Sequence, residues 1–157
     1  MQRAGQSAPS TDQLKADAPV VLSRAIDPAH IFALRIIRTM AIGGVNDARA
    51  AAMLMGQFGR AHRRPLVLMR AMMLELARVS YRQIRLAPPC CRRITTDEAL
   101  IIAALGRDES AFSLCYSDSA ALLGHDDVLG AATCFQAVSQ CFADMGYPLS
   151  GFGPSLG

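Results

Sequence analysis

Tryptophan is missing, lysine occurs once, and aromatic residues make up only 6% of the 157 positions. Charge is also sparse, 18% against 52% apolar residues. That balance excludes a disordered chain and suits one buried core in a length close to a single domain. Long apolar runs are absent as well. A membrane-spanning helix needs about 18 or more consecutive apolar residues, whereas the densest apolar stretch, Pro65 to Ala77, is interrupted by Arg70 and Glu75. A secretory signal needs a basic start, an apolar run and a small-residue cleavage site; residues 1–23 alternate Gln, Ser, Asp, Lys and Pro, with only Val20 to Leu22 contiguous. The expected location is therefore the cytoplasm, with no membrane association. Catalytic signatures are missing too: no glycine-rich phosphate loop with its lysine, no G-x-G-x-x-G after a strand, no G-x-S-x-G elbow and no H-E-x-x-H. No cofactor is expected on these grounds, and the reading leans away from an enzyme.

What the chain has in abundance is alanine, 26 residues against 21 for isoleucine, valine and threonine together, which favours helix over strand. Residues 1–26 are polar and without period, and predict a flexible N-terminal tail. Asp27-Pro28 then opens a helix, because an N-cap aspartate accepts free amide protons and a proline at the first position has none to leave unpaired. This first helix runs to about Ala41, ahead of Gly43-Gly44. Its apolar face of Ile31, Phe32, Leu34, Ile36 and Ile37 lies beside Arg35 and Arg38. Asn46-Asp47 opens a second helix to about Phe58, in which Ala50, Ala51 and Ala52 permit close approach of a neighbour, and Gly59 ends it.

After a basic connector of Arg60, His62, Arg63 and Arg64, Pro65 starts a third helix expected to reach about Ile84. Leu66, Met69, Met72, Met73, Leu76 and Val79 cover most of its circumference, and Glu75, Arg78, Arg82 and Arg85 form one polar stripe. Pro88-Pro89 imposes a loop over residues 86–93. Thr95-x-x-Glu98 is a capping box that opens a fourth helix, closed by Gly106. A fifth spans about Glu109 to Leu123, with a break expected near Ser117-Asp118. A sixth spans about Asp127 to Met145, where Val128, Ala131, Phe135, Val138, Phe142 and Met145 alternate steps of three and four along one seam. The four glycines and two prolines of residues 146–157 predict a flexible C-terminal tail in which Tyr147, Leu149 and Phe152 could dock locally. The expectation is an all-α, single-domain bundle of five or six helices over residues 27–145, packed around the third with the sixth laid against it.

The net charge of +3 hides a division. Residues 24–93 hold 13 arginines and three acids, and residues 94–157 hold one arginine and eight acids. Three explanations compete. The halves pack on each other; or Arg60, Arg63, Arg64, Arg92 and Arg93 neutralise a nucleic-acid backbone without reading its sequence; or an acidic protein docks on the basic half. Base-specific recognition is disfavoured, because the helix after the basic connector is nearly all apolar rather than lined with polar readers.

Five cysteines, an odd number in a chain without an export signal, argue for reduced thiols. Cys90-Cys91 lies in Pro-Pro-Cys-Cys-Arg-Arg just before a capped helix start, a setting that stabilises a thiolate and suits a nucleophilic, redox-sensing or metal-binding cysteine. The plainer reading is two small residues in a tight loop. A zinc site needs four ligands, usually in pairs two to four residues apart, and His30, His62, His125 and Cys115 are scattered; a thiolate-bound metal ion at Cys90 and Cys91 stays an alternative. Cys134 and Cys141 are two turns apart on the sixth helix, about 10.5 Å, too far for a bridge. Methionine at Met53, Met55, Met69, Met72 and Met73 reads as adaptable packing or a protein-binding groove. His125 beside Asp126 and Asp127 reads as a helix cap.

Gly-Gly-Val-Asn-Asp-Ala at 43–48, Arg-Arg-Pro-Leu-Val-Leu-Met-Arg-Ala at 63–71, and Pro-Pro-Cys-Cys with Thr96-Asp97-Glu98 after it resemble a family of small uncharacterised proteins from alphaproteobacteria, over about residues 30–145. The resemblance implies a bacterial single domain and no activity or site residue. The leading functional expectation is a protein acting by protein–protein interaction, self-association included, or by regulation. A thiol or metal site at Cys90 and Cys91 is the alternative, and non-specific nucleic-acid binding through the arginines a further one.

Overall fold

The computed structural model describes residues 26–149, and among them six α-helices and no strand. These are α1 (Pro28–Gly43), α2 (Ala48–Phe58), α3 (Arg63–Val79), α4 (Thr96–Leu105), α5 (Phe112–Leu123) and α6 (Leu129–Asp144), with single 3-10 turns at Gly59–His62 and Glu109–Ala111. The all-α bundle read from the sequence is the one that forms. The N-terminal tail expected over 1–26 lies outside the described residues except for Ile26, as does Phe152.

Side-chain caps set three of the six helix starts. Asp27 accepts from the Ala29 amide at 2.8 Å, and Asp47 accepts from the Arg49 amide at 2.7 Å. Thr95 and Glu98 satisfy each other reciprocally, the Glu98 amide donating to Thr95 Oγ1 at 3.1 Å and the Thr95 amide to Glu98 Oε2 at 2.8 Å. Gly124 closes α5 in the left-handed region at φ 80°, which a side chain adopts only with strain.

The most extensive packing is between α3 and α6. The two run antiparallel: Arg64 at the start of α3 pairs with Asp144 at the end of α6 at 3.1 Å, and Glu75 near the end of α3 crowds Gly130 near the start of α6. Met69, Met72 and Leu76 from one helix and Ala131, Phe135, Val138 and Phe142 from the other are buried in one core. Ile36, Ile37 and Met40 of α1, Leu54 of α2, Ile101 and Leu105 of α4, and Leu122 and Leu123 of α5 complete it. The seam read along the sixth helix is thus the core face. Phe32, Phe58, Phe142 and Tyr147 form an edge-to-face corner with centroids 5.3 to 6.2 Å apart, a geometry that suits the ring quadrupole. Tyr147 and the buried Leu149 dock beyond α6, as their apolar character suggested.

Several boundaries differ from the sequence reading. Helix α3 begins at Arg63 rather than Pro65 and ends at Val79, five residues short of Ile84. The polar stripe kept the helical period, but the Tyr81 amide donates to the Leu123 carbonyl at 3.0 Å and Arg82 turns to Asp97, so tertiary partners end the helix. The break expected near Ser117-Asp118 falls earlier, at the Asp108-capped turn of Glu109–Ala111, and Asp118 instead pairs with Arg107 at 3.1 Å. His125 caps no helix: Val128 is the N-cap of α6, and the His125 ring stacks on Tyr81 with its Nε2 2.6 Å from the Val79 carbonyl.

Candidate functional site

The Pro-Pro-Cys-Cys segment folds as a turn in which the Cys91 amide donates to the Pro88 carbonyl at 2.9 Å. A buried ion pair holds that turn. Arg38, 3% exposed, projects inward from α1, and its Nε and Nη2 grip Glu98 Oε1 and Oε2 at 2.7 and 2.9 Å. Nη1 donates to the carbonyls of Cys91 at 2.7 Å and Pro88 at 3.3 Å, and Nη2 donates also to that of Arg93 at 2.8 Å. Glu98, fully buried, also takes the Ala87 amide at 2.9 Å. Beside it, Asp97 accepts from Arg82 and from the Arg85 amide at 2.7 Å. Two adjacent carboxylates at the start of α4 therefore moor the whole connection from α3, with nearly every donor and acceptor of the buried pair matched. Sequence reasoning recognised Glu98 as a capping residue and missed Arg38. Its signal was spacing, since Arg38 lies four residues after the buried Leu34 and so on the same face of α1.

The turn forms one side of a groove of about 520 Å³ whose apolar lining includes Ile31, Leu34 and Ile94 and whose polar lining includes Arg35, Arg92, Cys90 and Cys91. Cys90 is exposed and Cys91 half-buried. Burial pushes Cys115, Cys134 and Cys141 up from the usual thiol range. Cys141 is buried and Cys134 packs at the core edge, so both fill space as the sequence suggested. Among the described residues no group of three or more His, Cys, Asp and Glu side chains could hold a metal ion. Met69 and Met72 are core residues, and Met53 and Met73 pack against the core.

The five arginines singled out in the sequence do not share one site. Arg63 and Arg64 line a second groove, of about 550 Å³, with Val67 and Leu68 of α3 and Ala137 and Gln140 of α6. Arg60 precedes them in the 3-10 turn. Arg92 belongs to the cysteine groove, and Arg93 contributes its carbonyl to Arg38. The oppositely charged halves do meet: Arg38–Glu98, Arg82–Asp97 and Arg64–Asp144 all join them. His30 is buried with a backbone hydrogen bond to Leu149, and its pKa is lowered, chiefly by burial.

Residues 8–140 match the profile of a family of unknown function, DUF6628. The chain belongs to the DUF6628 family. Comparisons with curated proteins and with solved structures gave no match. The matched span of this DUF6628 protein takes in both grooves and the Arg38–Glu98 mooring. Among its described residues no helix is long and apolar enough to cross a membrane.

Proposed function

We propose that this DUF6628 chain is a non-catalytic interaction protein of the bacterial cytoplasm, and that its partner lays an acidic amphipathic helix on the outer face of α3. The observation that carries the reading is the composition of that face. Val67 and Leu74, 60% and 56% exposed, lie seven residues apart with the exposed Ala71 between them, the spacing at which a helix offers anchors to another helix. Arginines stand at both ends, Arg60, Arg63 and Arg64 before the apolar positions and Arg78 after them.

The electrostatics favour an acidic partner. The first turn of α3 has no acidic residue and no side-chain cap, so its positive dipole end faces cations. Arg64 is answered by Asp144 and Arg78 by Glu75, while Arg60 and Arg63 are exposed and make no ion pair among the described residues. An approaching carboxylate meets both charge and dipole there. A nucleic-acid backbone fits less well, because it has no apolar surface to set against Val67 and Leu74. Free cysteines throughout suit a reducing compartment.

A photo-reactive residue in place of Ala71, activated in cells and followed by mass spectrometry of the cross-linked segment, tests the proposal. The expected catch is an acidic segment with helical apolar spacing, lost when Val67→Glu and Leu74→Glu are combined. A segment without acidic residues, a second copy of this chain, or no cross-link at all refutes it.

A further inference from the structure

We propose that Cys90 is a modification site for anionic low-molecular-weight disulfides, which it captures as a mixed disulfide in the groove beside Arg35 and Arg92. The site is separate from the α3 face and stands or falls without it.

Four observations converge. Cys90 is the exposed member of the pair and Cys91 the half-buried one, so an incoming disulfide reaches Cys90 first. The thiols share their groove with Arg35 and Arg92, both exposed and neither in an ion pair among the described residues, whereas Arg38 in the same wall is fully engaged with Glu98 and three carbonyls. The uncommitted positive charge at the groove therefore comes from two guanidiniums that line it together with Cys90, which draws in anions and repels cations. The turn is also preorganised, because the Arg38 bonds to the Pro88, Cys91 and Arg93 carbonyls fix its backbone before any ligand arrives. Finally, Ile31, Leu34 and Ile94 offer apolar surface for the body of the captured thiol.

The chemistry is thiol–disulfide exchange. The Cys90 thiolate attacks one sulfur of the small disulfide; the new S–S bond forms as the old one breaks, and the departing thiolate takes up a proton equivalent to the one Cys90 lost. In the usual second step a neighbouring thiol expels the captured group. Here that neighbour is the next residue, across a trans peptide bond, and adjacent Cα atoms about 3.8 Å apart fall below the usual disulfide range. Cys91 is therefore a poor resolving thiol, and the mixed disulfide persists until an external thiol removes it.

The test uses the full chain with oxidised glutathione as the anionic probe and cystamine as the cationic one, following adduct formation by intact mass and the modified residue by peptide mapping. The expected result is a single persistent adduct on Cys90, absent in Cys90→Ser and retained in Cys91→Ser. The ratio of the glutathione rate to the cystamine rate should fall about tenfold in Arg35→Glu/Arg92→Glu, and fall also as salt screens the charges. Far-UV circular dichroism confirms that these surface variants keep their helices. An unchanged ratio in the arginine variant, an adduct mainly on Cys91, or rapid closure to a Cys90–Cys91 ring each overturns the proposal.

Discussion

Removing Glu98 tests the reasoning about the buried mooring most directly. In Glu98→Ala the Arg38 guanidinium, its side chain only 4% exposed, keeps its three carbonyl bonds but loses both bonds to a carboxylate. The amides of Ala87 and Thr95 lose their acceptor at the same time. Leaving one charge of a buried pair uncompensated costs about 3–5 kcal/mol, against a total stability of about 5–15 kcal/mol for an ordinary domain. For a chain of this size each kcal/mol lowers Tm by about 2–4 °C, so the expected drop is about 6 to 20 °C. Urea denaturation followed by far-UV circular dichroism gives the free energy, and a thermal scan gives Tm. The double variant Arg38→Met/Glu98→Ala supplies the control, with Arg38→Met as the second single variant. Because it removes both charges, it should lose about 1–3 kcal/mol less than the two single variants summed. A loss below about 1 kcal/mol in Glu98→Ala, or strict additivity in the cycle, refutes the claim that this pair holds the loop.

The pKa of His30 is lowered from its ordinary value of 6.5, first by burial, with the Leu149 backbone bond and the Asp27 charge opposing. The unfolded chain therefore takes up the proton first, and stability should fall as pH drops below about 6.5 toward the lowered folded value. His30→Leu should flatten the slope between about pH 7 and pH 5 in denaturation midpoints, and an unaltered slope refutes the assignment. Gly124→Ala should cost about 1 kcal/mol, since φ is 80° and no side chain adopts that region freely; a urea midpoint lowered at constant m value is the check.

Features resting on neighbours in sequence were the legible ones. Asp27-Pro28, Asn46-Asp47, Thr95 with Glu98, Gly106 and Gly124 marked helix ends because a cap satisfies amides or carbonyls within a few residues of itself. The seam from Val128 to Phe142 was legible because burial on one face leaves a helical period. Features resting on partners far along the chain were not. The end of α3 depends on Leu123 and Asp97, so its stripe read on through Arg82 and Arg85. Arg38 carries the charge that normally marks a solvated face, and only its partner 60 residues away explains its burial. The vicinal cysteines stood out by composition, but their groove depends on α1, a distant segment that no local pattern could place beside them.

The antiparallel pairing of α3 with α6 has a consequence for synthesis on the ribosome. Helix α3 is complete at Val79 and α6 begins at Leu129, so about fifty residues must still be added before Met69, Met72 and Leu76 meet their main cover. At usual elongation rates that interval is roughly 3 to 10 seconds. Over that time the nascent chain carries an oily helix and an arginine-rich surface without the acidic segment that answers them, a combination that suits protection by a holding chaperone.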